Sequence, residues 1–258
     1  MQPSPIVVRG HPLAGGRLPA VCAPLVARDA DALEAEARTV AALQPDLLEW
    51  RVDFFTGLAD AQAVVAAGRR VRAAAQGLPI LFTRRSHREG GQSIPIGEAE
   101  VAGLYEALAS QGLVDLLDWE MSGPEAELAR VRALARARGL PLVLSFHDFH
   151  RTPDDAALRE RFAHAHALGA DVAKVAVMPQ SLEDVHRLLG ATLRASRELP
   201  IPVISMAMGE LGAVSRVCGG VFGSALTFAV GGAASAPGQM PIADVRAAVA
   251  ALQRASSG

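Results

Sequence analysis

Along the chain, short runs of consecutive apolar residues alternate with longer stretches in which apolar residues recur every third or fourth position. The short runs are rich in valine, isoleucine and leucine and are bounded by proline, glycine or aspartate, a pattern that predicts strands covered on both faces. They fall at 20–25, 47–51, 79–82, 113–118, 141–146, 171–177, 202–206 and 221–228. The stretches between them, 29–43, 58–76, 97–111, 123–138, 153–168 and 181–198, carry helical spacing with charge on the opposite face. Asp29 and the Thr152-Pro153-Asp154-Asp155 sequence offer helix starts, the proline being suited to a first helical turn.

Strands that recur roughly every thirty residues with a helix between them need crossover connections, and crossovers make the sheet parallel. Eight such strands can close on themselves, so the expected fold is α/β, a (β/α)8 TIM barrel forming a single domain over 1–258. Ile6 to Val8 is expected to add a short strand or hairpin that closes the barrel floor. The interval 206–221 is short for a crossover helix, which makes the seventh unit the least specified. A doubly wound open sheet is the alternative, but no Gly-x-Gly-x-x-Gly follows the first strand.

Half of the 258 residues are hydrophobic, enough for a large core, and the formal net charge is −2. So weak a field gives no reason to expect nucleic acid or an anionic membrane as a partner. The chain has no charged residue between Arg216 and Asp244, yet glycine, serine and proline interrupt that stretch. Its strongly apolar part, 221–230, is about half the ~20 residues of a membrane-spanning helix. Cys22 and Cys218 have no metal-ligand spacing and read as reduced thiols, and the start of the chain lacks a secretion signal, so a cytoplasmic protein is expected.

Charge also singles out one residue. Lys174 is the sole lysine in a chain with 25 lysines and arginines together. Arginine stays protonated, whereas a lysine in an apolar setting can present a free amine and attack a carbonyl. Valines 172, 175 and 177 supply such a setting. In a barrel, catalytic groups gather where strands end, and the ionisable residues do pile up at those ends. They include Glu49 and Arg51, then Arg84, Arg85 and Glu89, then Asp118 and Glu120, and finally His147. The two-residue period of a strand puts Glu49 with Arg51, and Asp118 with Glu120, on one face, and turns Trp50 and Trp119 the other way. A salt bridge at the barrel mouth would explain any one pair, but charges on five successive strands are costly to bury without a use. His147, beside the lysine strand, is placed to move protons, whereas His11, His164, His166 and His186 read as surface residues.

Six strings in order resemble type I 3-dehydroquinate dehydratase. They are Glu49-x-Arg51, the loop from Phe82 through Arg85 and Glu89 to Gly91, Ser145-Phe146-His147-Asp148, the run from Ala173 to Gln180, Ser215-Arg216, and Ser235-Ala-Pro-Gly-Gln239. The resemblance implies a (β/α)8 barrel that dehydrates 3-dehydroquinate to 3-dehydroshikimate in the shikimate pathway, with no metal or organic cofactor, as a homodimer. It implies that Lys174 forms the imine, that His147 is the general acid and base, and that Glu89 orients His147. It further implies that Arg216, Gln239 and Ser235 hold the substrate carboxylate, while Glu49, Arg51 and Arg85 bind ring hydroxyls. Asp118 would assist, and Met206 and Met208 would pack on the ring. A class I aldolase or transaldolase-like enzyme stays open, with Gly231-Gly232 as a phosphate cradle, as does a non-catalytic ligand-binding barrel.

Overall fold

The computed structural model describes residues 6–14 and 19–256. Two short antiparallel strands, β1 (Ile6–Val8) and β2 (His11–Ala14), form an N-terminal hairpin. Strands and helices then alternate: β3 (Ala20–Leu25), α1 (Ala30–Ala42), β4 (Leu47–Arg51), α2 (Ala61–Ala74), β5 (Ile80–Thr83), α3 (Glu98–Ser110), β6 (Leu116–Glu120) and α4 (Glu125–Arg138). The second half repeats the plan with β7 (Leu142–Asp148), α5 (Asp155–Ala167), β8 (Val172–Val177), α6 (Leu182–Glu198), β9 (Val203–Ala207), α7 (Gly209–Cys218), β10 (Leu226–Phe228) and α8 (Ile242–Ser256). The parallel sheet runs β10-β3-β4-β5-β6-β7-β8-β9, and a bridge from Val203 to Ser224 joins its two edges, closing the barrel. None of the helices among the described residues is long and apolar enough to cross a membrane.

Most elements lie within a few residues of the pattern, and the departures have local causes. Strand β6 sits at Leu116–Glu120, later than 113–118. The run 221–228 begins as a 3-10 turn, Gly219–Phe222, and only Leu226–Phe228 is strand. Helix α7, which the pattern did not single out, runs unbroken through Gly209 and Gly212, poor helix formers that conceal it in the sequence. Helix α8 was missed because its buried stripe, Ile242, Val245 and Val249, is narrow and set among alanines. Asp29 caps α1 through the Asp31 and Ala32 amides, whereas α5 is capped by Asp154, leaving Pro153 outside the helix.

Period-two alternation divides the barrel interior into levels. The lowest holds Leu47, Leu81, Leu116, Val143, Val172, Ile204 and Leu226, and Ile6 and Leu13 of the hairpin lie against them, closing the floor. Above come Glu49, Thr83, Asp118, Ser145 and Lys174, all buried, and above those Arg51, Arg85, Glu120 and His147. From β4 to β8 the interior thus turns from hydrocarbon to polar and charged groups within two residues, whereas β3, β9 and β10 stay apolar. Outside the barrel, Trp50, Phe82, Tyr105 and Trp119 meet edge to face, with centroids 5.4, 4.7 and 5.1 Å apart along the series.

The floor is also clamped by polar side chains at alternate strands. Asp46, just before β4, accepts the Val21 N–H at 2.6 Å. Asp115 before β6 accepts the Ile80 N–H, and Asp171 before β8 accepts the Leu142 N–H, both at 2.8 Å. Ser224, ahead of β10, accepts the Ser205 N–H at 3.1 Å. Each clamp ties a strand to its predecessor at the end opposite the charged levels.

Candidate active site

Lys174, in the middle of β8, pairs with Ser145 in the β7 register. Its Nζ lies 2.9 Å from Asp118 Oδ2, 3.7 Å from Glu49 Oε1 and 4.5 Å above the centre of the Phe228 ring. Asp118 is wholly buried, and its other oxygen accepts from Arg85 Nη2 at 2.8 Å and from the Ser145 hydroxyl at 2.7 Å. Burial alone would raise the Asp118 pKa, but Arg85 and Lys174 outweigh it and hold the carboxyl well below its usual range. Arg85 Nη1 reaches Ser145 at 2.9 Å and Glu120 at 3.1 Å, so this guanidinium organises two levels of the interior at once.

His147 stands one level above Lys174, on the neighbouring strand. Its Nδ1 is 2.9 Å from Glu89 Oε2, and the same oxygen accepts the His147 backbone N–H at 3.1 Å. Ser122 donates to Glu89 Oε1 at 2.6 Å. With donors on both oxygens, Glu89 is arranged as an acceptor, which assigns the imidazole proton to Nδ1 and leaves Nε2 as the free base. Burial pushes Glu89 up to about 7, with Arg85 opposing and Glu120 reinforcing the rise. Burial likewise drives His147 well below its ordinary value, helped by Arg85 and Lys174. Both shifts disfavour the charged forms, so the imidazole is kept neutral and available as a base.

Glu49 accepts from Thr83 at 3.0 Å, and Arg51 is gripped by Asp53 through Nε and Nη2, each at 2.8 Å. Arg216, on α7, is 1% exposed and forms no ion pair among the described residues. Its Nη2 donates to the Pro237 carbonyl at 2.8 Å, and burial pulls its pKa down to about 10. In the loop after β10, Gln239 accepts the Ser235 N–H at 2.9 Å and donates to the Ser235 hydroxyl at 3.2 Å. All nine of Lys174, His147, Glu89, Glu49, Arg51, Arg85, Arg216, Ser235 and Gln239 line one pocket, with Met206, Met208, Phe149 and Phe228 as its apolar wall.

Other residues singled out in the sequence lie elsewhere. Arg84 pairs with Glu98 and stacks over Trp119 at 5.7 Å, on the outer side of the sheet. His150 is exposed. Gly231 and Gly232 pack toward Val40 and Glu36 of α1, so the suggested phosphate cradle would face a carboxylate. Conversely, Asp53, Glu120 and Ser145 were not among the nominated site residues, although each grips one that was. For Glu120 the period-two alternation with Asp118 was the available signal. Asp53 offered none beyond its place at a strand end, and Ser145 only its place in the string that resembles the family.

A family model described as type I 3-dehydroquinase matches residues 21–256. The chain belongs to the type I 3-dehydroquinase family. It is 49% identical over 251 residues to a 3-dehydroquinate dehydratase of Aromatoleum aromaticum, covering 97% of this chain and 96% of the relative. Against a Geobacillus kaustophilus 3-dehydroquinate dehydratase it is 51% identical over 239 residues, 93% of each. The crystal structure of 3-dehydroquinate dehydratase from Geobacillus kaustophilus superposes with a TM-score of 0.95 at 49% identity over 98% of both chains. A Clostridium difficile type I enzyme, solved covalently modified with comenic acid, gives 0.94 at 32% identity, over 99% of this chain and 100% of that one. As a type I 3-dehydroquinase the chain is a hydro-lyase of the shikimate pathway that works through a Schiff base.

Proposed function

We propose that Lys174 is the amine that condenses with the ketone of 3-dehydroquinate, and that the groups around it divide the remaining work. The observation that carries this reading is that the only lysine in the chain is 3% exposed and shares its pocket with His147 and with an unpaired Arg216. Attack by Nζ and loss of water give an iminium, which draws electrons and acidifies the adjacent carbon. Asp118, 2.9 Å away, supports the positive charge on that nitrogen.

His147 Nε2 takes the proton from the acidified carbon, with Glu89 holding the ring through Nδ1. The same imidazole returns a proton to the departing hydroxyl, and water then hydrolyses the imine to release 3-dehydroshikimate and the lysine. Arg216 takes the substrate carboxylate in a two-pronged contact, assisted by Ser235 and Gln239. Glu49, Arg51 and Arg85 orient the ring through its hydroxyls. No metal or organic cofactor enters this scheme.

The chain works as a single domain and, in this reading, as a cytoplasmic homodimer. Its free cysteines, Cys22 and Cys218, suit a reducing compartment. The exposed side chains of Leu211 and Val214, one turn apart on α7, with Val221 following, supply an apolar stripe for a second copy. Light scattering on the purified protein tests the dimer.

Incubation with 3-dehydroquinate and sodium borohydride, followed by peptide mass mapping, tests the chemistry. The expected result is one reduced adduct, on the Lys174 peptide, absent from Lys174→Ala. An adduct confined to the terminal amine would overturn the assignment.

A further inference from the structure

We infer that Asp53 is a positioning residue that fixes the Arg51 guanidinium by its Nε–Nη2 edge and so aims the Nη1 end into the pocket. Asp53 lies in a 3-10 turn, Val52–Phe54, directly after β4, and its side chain is completely buried. Its Oδ1 accepts from Arg51 Nε at 2.8 Å and from the Arg85 backbone N–H at 3.2 Å. Its Oδ2 accepts from Arg51 Nη2 at 2.8 Å and from the Gln92 backbone N–H at 3.1 Å. Four donors from three chain segments thus saturate one carboxylate.

The consequence falls on Arg51. Its Nε–Nη2 edge is occupied, and the Phe54 ring lies 5.1 Å from the guanidinium carbon. What remains are both N–H groups of Nη1 and the second on Nη2, and Nη1 contacts the Ser235 carbonyl at 3.5 Å. A guanidinium held by one edge cannot swing, so its remaining donors meet a ligand oxygen at a fixed place in the pocket. Arg216 donates to carbonyls only and has no carboxylate partner among the described residues, so its charge is not offset. The two arginines are thereby made unequal: Arg51 already carries the counter-charge of Asp53 and Arg216 carries none, so the ligand carboxylate is drawn to Arg216 and a hydroxyl to Arg51, which disfavours the reversed orientation of the ring. Asp53 also ties Arg51 to the backbone on both sides of Glu89, at Arg85 and Gln92, so the oriented substrate is registered against the acid–base pair.

This inference rests on the proposed contact between Arg51 and substrate, and a double-mutant cycle separates the two. Asp53→Asn keeps the side-chain shape but turns an amide NH2 toward two N–H donors whichever way it sits. Arg51→Ala and Asp53→Asn are each expected to lower kcat/KM about 10- to 100-fold, chiefly through KM, as for loss of a charged hydrogen bond. The double variant is expected to be no worse than Arg51→Ala, because Asp53 acts through that arginine. Melting temperatures measured alongside register any purely structural effect.

Additive losses, or Asp53→Asn with wild-type KM, would overturn the role of Asp53 alone. Arg51→Ala with wild-type kcat/KM would overturn the Arg51 contact and the inference with it. Asp53→Ser, which admits water to the guanidinium, replaces Asp53→Asn in the cycle if the latter does not fold. Failure of both to fold would assign Asp53 to the scaffold and overturn the inference.

Discussion

Replacing Arg216 by methionine should strengthen the empty fold while weakening the substrate complex. Burial lowers the Arg216 pKa from 12.5 to about 10, so holding this cation away from water costs about 3 kcal/mol. The hydrogen bond to Pro237 O returns about 1–1.5 kcal/mol of that, and the contact with Phe228 O, at 3.5 Å, adds little. A methionine of similar reach removes both contributions, leaving a net gain of about 1–2 kcal/mol, or ~2–6 °C in melting temperature for a chain of this size. The sign can be checked against pH. A base with a lowered folded-state pKa destabilises the fold wherever it is charged, so the gain is complete at pH 7.5. It should shrink as pH rises through about 10 toward the unfolded value. Substrate binding loses a two-pronged charged contact of about 3–6 kcal/mol, so KM should rise at least ~100-fold. Thermal melts of the ligand-free variants, with enone absorbance for the kinetics, measure both. A variant that melts below wild type while keeping KM within about threefold would refute the reasoning.

Three further outcomes follow from the same geometry. Because burial raises Glu89 to about 7 and its ionised form holds the Nδ1 proton of His147, kcat/KM should fall as pH drops through about 7. Glu89→Gln should abolish that limb and cost about 10²- to 10⁴-fold, read from pH–rate profiles of both proteins. Asp118→Asn leaves Lys174 and Arg85 without their shared buried counter-charge and should cost about 3–5 kcal/mol in denaturant melts as well as slowing borohydride trapping at Lys174. The stability that Asp118 supplies is present above the ordinary carboxylate range and lost as pH falls through its lowered folded value. Gly90 has φ +83° and an added Cβ would sit 2.2 Å from the Phe149 ring, so Gly90→Ala should displace that pocket wall and raise KM. Adding Phe149→Ala should relieve the collision but not the backbone strain of about 1 kcal/mol or more, which melting temperatures would still show.

The barrel was legible because its strands are buried on both faces and read as unbroken apolar runs, and because helices between them repeat at a steady interval. The charged levels were legible for a related reason: alternation places Glu49 with Arg51, and Asp118 with Glu120, before any contact is known. Lys174 was conspicuous only because arginine fills the other basic positions. Sequence gave less help where partners lie far apart along the chain. Asp53 meets Gln92, 39 positions away, through a backbone amide that has no residue identity to read. Arg216 sits on α7, a helix whose glycines hide it from any periodicity argument. Gly91, where a Cβ would fall 2.0 Å from the Arg85 carbonyl, shows how tightly the Glu89 loop folds back. The pattern alone marks two adjacent glycines and does not say that the chain doubles over there.

The four clamps at the barrel floor join strands in pairs: β3 with β4, β5 with β6, β7 with β8, and β9 with β10. The side-chain clamps therefore fall at every second interface, while backbone pairing joins the strands at all of them. A polypeptide severed between β6 and β7 keeps every clamp whole inside one half or the other, and each half arrives with two sealed modules ready to dock. A nick between β5 and β6 parts Asp115 from the amide it holds. Two fragments of nearly equal length thus differ in fitness for reassembly by where the break falls against this fourfold beat. The catalytic rim, at the far end of the strands, is spread over both halves and comes into being only when they meet.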